Sequence, residues 1–149
     1  MNILSRLCKT IAASTLFISL FASLPAHAQT GNDALYQSLG GKTGISTFVN
    51  SFVAIVLDDA RINKAFKETD TERLASLLTE QFCELSGGPC KYSGRSMADV
   101  HKDMEVTNAH FNALAEDLQI AMEKHDVPSS VQNRLIAKLA PMQRPIVSK

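Results

Sequence analysis

The spacing of apolar residues limits this chain to helices. Between residues 45 and 57, Phe48, Phe52, Ile55 and Val56 recur three and four residues apart, which is the period of one face of an α-helix. The same spacing returns in four later segments, at 69–82, 97–104, 107–122 and 131–139. No segment alternates apolar and polar residues for long enough to predict a strand. The sequence therefore predicts an all-α domain.

Capping residues and breakers predict where these helices begin and end. Thr69 and Glu72 form a Thr-x-x-Glu pattern, which predicts a capping box at the start of a helix. The Gly-Gly-Pro run at 87–89 should end that helix. Thr107 is placed to cap the long helix that follows, and Pro141 should stop the last one. The connection after residue 87 is long for a small helical domain, which suggests a helical pocket that closes around a ligand.

Residues 1–28 have the pattern of a secretory signal peptide. Arg6 and Lys9 make the start basic, with no acidic residue, and an apolar run follows from 11 to 24. The small-residue pattern Ala-x-Ala then ends at Ala28, as at a cleavage site. The run is short for a membrane span, which needs about 20 residues; a retained anchor helix is the alternative. We predict cleavage after Ala28, a mature domain of residues 29–149, and a periplasmic or secreted protein.

The charge balance of the predicted mature chain argues against two classes of partner. The chain keeps all 15 acidic residues and loses only Arg6 and Lys9 of the 15 basic ones, which gives a formal charge of −2. This balance favours neither nucleic acid nor an anionic membrane. No further apolar run is long enough to span a bilayer, so no membrane association is expected after cleavage.

Cysteine usage agrees with export. Cys8 leaves with the predicted signal peptide, and Cys83 and Cys90 remain as an even pair in an oxidising compartment, which favours a disulfide. Two buried thiols, or half of a metal site, are the alternatives. A cysteine-rich zinc site would need a second pair, which the mature sequence lacks.

Two histidines lie between residues 96 and 111, and the residue pattern alone leaves their roles open. His101 and His110 each fall on an apolar helical pattern, where a core residue, a surface residue and a metal ligand are competing readings. Met97 lies one turn before His101 and Met104 follows it, which predicts soft apolar packing around the imidazole. The pattern thus predicts a pocket with a histidine but identifies no ligand.

Seven pieces of the sequence, in order, resemble one known family. They are LYQSLGG at 35–41, ISTFVNSFVAIVLDD at 45–59, Phe66, LSGGP at 85–89, YSGRSMADVH at 92–101, VTNAHF at 106–111 and DVP at 126–128. With them the chain resembles the truncated haemoglobins, the short two-on-two globins, most closely their first group. The resemblance implies a two-on-two helical sandwich that binds one haem b with its iron.

The resemblance also implies roles for single residues. The histidine that closes the piece Tyr-x-Gly-x-x-Met-x-x-x-His, here His101, is implied to be the proximal ligand of the haem iron, and His110 is implied not to be. An imidazole nitrogen is the usual proximal donor in globins. The other residues implied to contact haem are Phe66 on its face, Phe82, Tyr92 and Met97 around the pocket, and Thr69 and Arg73 near the propionates. An exposed surface charge is the alternative at Arg73.

The residues implied to face a bound gas depart from the family pattern. The family's usual distal tyrosine is Val53 here, and two commonly polar positions are Leu74 and Leu78. Gln81 is the one evident polar candidate, so the distal site should be largely apolar. Distal polarity decides which gas a haem retains, and a hydrogen bond to a charged group is worth about 1.5–3 kcal/mol.

This departure favours nitric oxide and carbon monoxide as ligands over storage of dioxygen. We therefore expect a protein that binds or senses small diatomic gases. The alternative is a haem enzyme, either a nitric oxide dioxygenase or a peroxidase-like protein, that is served by a separate reductase. A helical binding module without haem is the third alternative.

Overall fold

The structure is a computed structural model that describes residues 33–149. Its helices are α1 (Ala34–Ser38), α2 (Gly41–Asp58), α3 (Thr71–Leu85), α4 (Met97–Val100), α5 (Asn108–Glu123), α6 (Ser129–Leu139) and α7 (Gln143–Ile146), with 3-10 turns at Asn63–Phe66 and Ala140–Met142. This part of the chain contains no strand and no helix long and apolar enough to cross a membrane. The all-α prediction is confirmed. The predicted signal peptide lies outside the described residues.

Helix α2 is the centre of the fold. It packs along both α3 and α5, and Ile45, Phe48, Val49 and Phe52 on it are almost fully buried. Helix α6 packs against α1, α3 and α5. The two pairs, α2 with α3 and α5 with α6, therefore lie on one another, which is the two-on-two arrangement that the resemblance implied.

The first turn of α2 lies outside the apolar pattern that predicted the helix. The helix starts at Gly41, after Gly40 with a left-handed φ of 81°, a conformation that glycine adopts at little cost. A side chain at Gly44 would collide with the carbonyl oxygen of Leu39. Because periodicity registers only the turns that face the core, it places the start of this helix too late.

The start of α3 corrects one prediction. The capping box of Thr69 and Glu72 does not form, because the capping residue is Asp70, whose Oδ1 accepts the backbone N–H of Arg73 at 3.0 Å. The first helical residue is Thr71, so Thr69 lies one residue too early to cap the free N–H groups of the first turn.

The long connection between α3 and α4 is held against α3 by hydrogen bonds. The backbone N–H of Tyr92 donates to the Glu84 carboxylate at 3.1 Å. Ser93 donates to Oε2 of Glu80 through its N–H at 3.0 Å and its hydroxyl at 2.7 Å, and these bonds lower the pKa of Glu80. The segment that leads to His101 is therefore fixed to the helix that carries Leu74 and Leu78.

Cys83 and Cys90 add a further link between the same two segments. Cys83 is fully buried near the end of α3, and its Cα lies 5.7 Å from that of Cys90, with the two sulfur atoms joined. This separation is ordinary for a disulfide. The geometry supports the predicted bridge, which stays a prediction for the exported protein.

Helix α4 is a single turn that ends at the histidine. Ser96 caps it, since its Oγ accepts the N–H of Asp99 at 3.2 Å. The chain leaves the helix at His101, and Asp103 takes a left-handed φ of 61°. Met104 is 41% exposed as a result, and the prediction that it packs beside His101 is wrong.

The last residues return to the loop that follows His101. Beyond Pro141 the chain forms α7, which no sequence pattern predicted, and α7 packs against α4. The carbonyl oxygen of Val106 accepts the backbone N–H of Ser148 at 3.0 Å. The single turn of α4 is therefore supported on this side by the end of the chain.

Candidate functional site

His101 is half-buried at the C-terminal end of α4. Its Nδ1 lies 2.8 Å from the carbonyl oxygen of Met97, and its backbone N–H donates to the same oxygen at 3.2 Å. Because a carbonyl oxygen only accepts, Nδ1 carries a proton in this bond, and in the neutral tautomer that this bond selects the lone pair is at Nε2. That is the tautomer of an oriented metal-binding imidazole.

The donor chemistry of this site fits haem. Across residues 33–149, no three His, Cys, Asp or Glu side chains are placed to hold a metal ion together. Haem iron needs only an axial donor from the protein, and one imidazole with a lone pair at Nε2 supplies it. Apolar side chains suit the rest of the macrocycle, and Phe66, Leu74 and Leu78 are half-buried apolar residues.

The structure brings four of the predicted pocket residues into one apolar cluster. Val53 is 7% exposed and belongs to the hydrophobic core, against which Phe66, Leu74 and Leu78 pack. None of these four side chains has a hydrogen-bond donor. All four are apolar, and their position around a bound gas stays a prediction.

Phe82 lies in the hydrophobic core and is more buried than a residue at the wall of an open pocket would be. It is 2% exposed, and its ring stacks on that of Phe48 with the centroids 6.2 Å apart. This contact lies between α2 and α3, so the packing of the two helices accounts for Phe82 without a cofactor.

Tyr92 and Met97, two further predicted pocket residues, are both half-buried. The hydroxyl of Tyr92 donates to the carbonyl oxygen of Arg95 at 3.0 Å, and burial raises the pKa of Tyr92. The phenol is therefore neutral near pH 7 and is engaged in shaping the loop before α4.

Thr69 and Arg73, the two candidates for the propionates, lie on either side of the capping residue Asp70. Thr69 is half-buried and Arg73 is exposed. The positive charge of Arg73 contributes to the lowered pKa of Glu80, although the hydrogen bonds from Ser93 lower it most. An exposed guanidinium here fits both the propionate role and the alternative of a surface charge.

His110 has a structural role at the start of α5. It is exposed, and its backbone N–H donates to Oγ1 of Thr107 at 3.2 Å while its Nδ1 accepts the N–H of Thr107 at 3.4 Å. These two bonds form a reciprocal capping box. The predicted cap at Thr107 is confirmed, and His110 completes it.

Gln81 was the polar candidate for the distal side, and in the structure its amide contacts Met97. It is 7% exposed, and its Nε2 donates to Sδ of Met97 at 3.5 Å. The two residues are 16 positions apart in the sequence, so helical spacing gives no sign of this contact.

No sequence pattern predicted the cluster of charged residues at the C-terminal end of α2. Arg61 pairs with Asp59 at 2.8 Å and with Glu116 at 2.6 Å, and it lies 3.6 Å from Asp117. Asp117 is 2% exposed, and its Oδ2 has no hydrogen-bond partner among the described residues. Burial raises the pKa of Asp117, while the hydrogen bonds from Arg61 lower that of Asp59.

Comparison with known proteins gives a family for this architecture. The family model described as bacterial-like globin matches residues 34–148. A group 1 truncated hemoglobin of Tetrahymena pyriformis is 34% identical over 99 residues, which cover 66% of this chain and 82% of the relative. The group 1 truncated hemoglobin GlbN of Synechocystis sp. is 34% identical over 110 residues, 71% of this chain and 86% of the relative.

Solved structures agree with these relatives. The truncated hemoglobin of Tetrahymena pyriformis in its Fe(III) form superposes with a TM-score of 0.74 at 30% identity, covering 77% of this chain and 98% of that one. The 2/2 hemoglobin of Synechococcus sp. PCC 7002, solved in the cyanomet state with covalently attached heme, gives 0.72 at 26% identity with the same coverage.

Proposed function

The chain belongs to the truncated haemoglobins, whose cofactor is haem with its iron, and we propose that it binds haem b through His101 and takes small diatomic gases at an apolar distal site. One observation carries the proposal. The carbonyl of Met97 holds Nδ1 of His101 at 2.8 Å and so leaves Nε2 for the iron.

When bound, the haem supplies an iron with one position open to a gas. The side chains of this chain decide which gas stays there. Val53, Leu74 and Leu78 offer no donor, and dioxygen depends on a distal donor more than carbon monoxide and nitric oxide do. The absence of a bond worth about 1.5–3 kcal/mol should make release of dioxygen roughly ten- to a hundred-fold faster.

We propose that the protein acts outside the cytoplasm as a gas-binding or gas-sensing protein. The leader-like residues 1–28 and the joined pair Cys83 and Cys90 support this location. The apolar distal residues favour nitric oxide or carbon monoxide as the physiological ligand.

Absorption spectra of the purified mature chain test the proposal. We expect a Soret band, a ferrous form that binds carbon monoxide, and ferrous dioxygen binding that is lost quickly by release or oxidation. A protein that takes up no haem would instead be a helical binding module. Repeated formation of nitrate from nitric oxide, in the presence of a reductant, would favour the enzyme alternative with its reductase.

A further inference from the structure

Gln81 connects the helix that carries the distal residues to the turn that carries His101. It lies three residues after Leu78, on the same side of α3. Its amide is buried, and Nε2 donates to Sδ of Met97, the first residue of α4, at 3.5 Å. Sulfur is a weak acceptor, but a buried amide that loses its partner is left unsatisfied in a poorly solvated place, which is unfavourable. The contact therefore constrains Met97.

Met97 in turn holds His101. Its carbonyl oxygen accepts both Nδ1 of His101 at 2.8 Å and the backbone N–H of His101 at 3.2 Å. Helix α4 has only four residues, and so short a helix has little stability of its own, since nucleation is costly. The position of the Met97 carbonyl must therefore come from contacts outside α4, and the Gln81 amide is one of them.

We propose that Gln81 is a positioning residue for the proximal histidine, acting through Met97, and not a donor to the bound gas. This inference rests on the proposed function, because it assumes that His101 binds the iron. Gln81 keeps the Met97 carbonyl aligned with Nδ1 of His101. The hydrogen bond to that carbonyl makes the imidazole a better donor to a metal.

Resonance Raman spectroscopy of the ferrous protein separates the two roles of Gln81. Loss of a positioning residue should lower the iron–imidazole stretching frequency and speed haem transfer to an acceptor apoprotein by up to about 10-fold. Carbon monoxide and dioxygen release should then change by similar factors. Loss of a distal donor would leave the iron–imidazole band in place, shift the vibrations of bound carbon monoxide, and speed dioxygen release alone.

Four variants make the test specific. Gln81→Leu removes the donor and Met97→Leu removes the acceptor at nearly constant volume. Each should lower the frequency of the iron–imidazole band, and the double variant should lower it no further than either single one. Gln132→Leu is the matched control, because Gln132 is also a buried glutamine, 3% exposed, that donates to the carbonyl of Val127 far from His101 in sequence. It should lower stability and leave the band unchanged.

The outcomes are distinct. If Gln81→Leu does not retain haem, Met97→Leu decides the question alone. An unmoved band in the variants that bind haem, or an equal shift in Gln132→Leu, overturns the inference. A native protein that binds haem without an iron–imidazole band would instead contradict the proposed function.

Discussion

The carbonyl oxygen of Met97 lies 2.8 Å from Nδ1 of His101, whereas His110 uses its own Nδ1 to accept the N–H of Thr107. Both rings are therefore oriented by the backbone. Only His101 donates through Nδ1, is half-buried and adjoins the apolar turn of α4. His101 and His110 therefore have different structural roles, although they lie close together in the sequence.

We expect His101→Ala to lose haem or its normal proximal spectrum. His110→Ala should keep both and lose only part of a helix cap, about 0.5–1 kcal/mol of stability. Absorption spectra and urea unfolding of the two variants measure these effects. Loss of haem in the His110 variant alone would show that the wrong histidine is assigned.

Restoring the family's distal residue with Val53→Tyr should slow dioxygen release by about ten-fold or more, because a hydroxyl donor adds roughly 1.5–3 kcal/mol. Carbon monoxide release should change far less. Val53 is nearly buried, so the larger ring also costs about 1–3 kcal/mol of overpacking. Val53→Phe has the same bulk without the hydroxyl and is the control in stopped-flow measurements. Equal dioxygen release from the two variants would exclude the hydrogen bond as the cause.

Mass spectrometry of unreduced, alkylated protein should find Cys83 and Cys90 bonded after export. The bridge closes a short loop, with a sequence separation of 7, so it should contribute only about 2.5 kcal/mol. Cys90→Ala should lower the free energy of unfolding by about that amount without removing a fully buried side chain. Two alkylated thiols would contradict the pairing.

Asp70→Ala should destabilise α3 by about 1 kcal/mol, because Asp70 accepts the N–H of Arg73. Thr69→Ala should have a smaller effect, since the predicted capping box at Thr69 does not form. Thermal unfolding of the two variants compares them directly. A larger loss at Thr69 would restore the capping box that the structure rejects.

The free energy of unfolding should depend on the pH through Asp117. Burial, and then the charge of Asp59, raises its pKa above the ordinary value of 3.8, so the folded protein holds this proton more tightly than the unfolded chain does. The stability that Asp117 contributes is therefore present in full at pH values below 3.8. It is lost as the pH rises through the raised pKa. Asp59 has a lowered pKa, from the hydrogen bonds with Arg61, and its contribution is lost in the opposite direction, as the pH falls below 3.8.

Asp117→Asn isolates the first effect. It keeps the shape of the side chain and removes the buried charge, so its stability relative to the native protein should improve as the pH rises from about 4 to 7. Urea unfolding across that range measures the difference. Parallel profiles for the two proteins would show that Asp117 does not titrate differently in the folded state.

The sequence by itself determined the all-α class, the main helices and the family, whereas no pattern predicted α1 or α7. Three- and four-residue spacing in α2, the breakers after residue 86 and the cap at Thr107 are local signals, and local signals suffice when each helix buries one face. The role of His101 came from the resemblance, because the same residue pattern served His110 equally well.

Only the tertiary structure decided which neighbour each side chain meets. Phe82 and Gln81 are adjacent on α3, yet the first stacks on Phe48 and the second reaches Met97. Met104 is exposed because the backbone leaves the helix at His101. Spacing states which side of a helix a residue occupies, but its partner depends on how that helix is rotated against elements far away in the sequence. That rotation is set by packing of the whole core, which no local pattern contains.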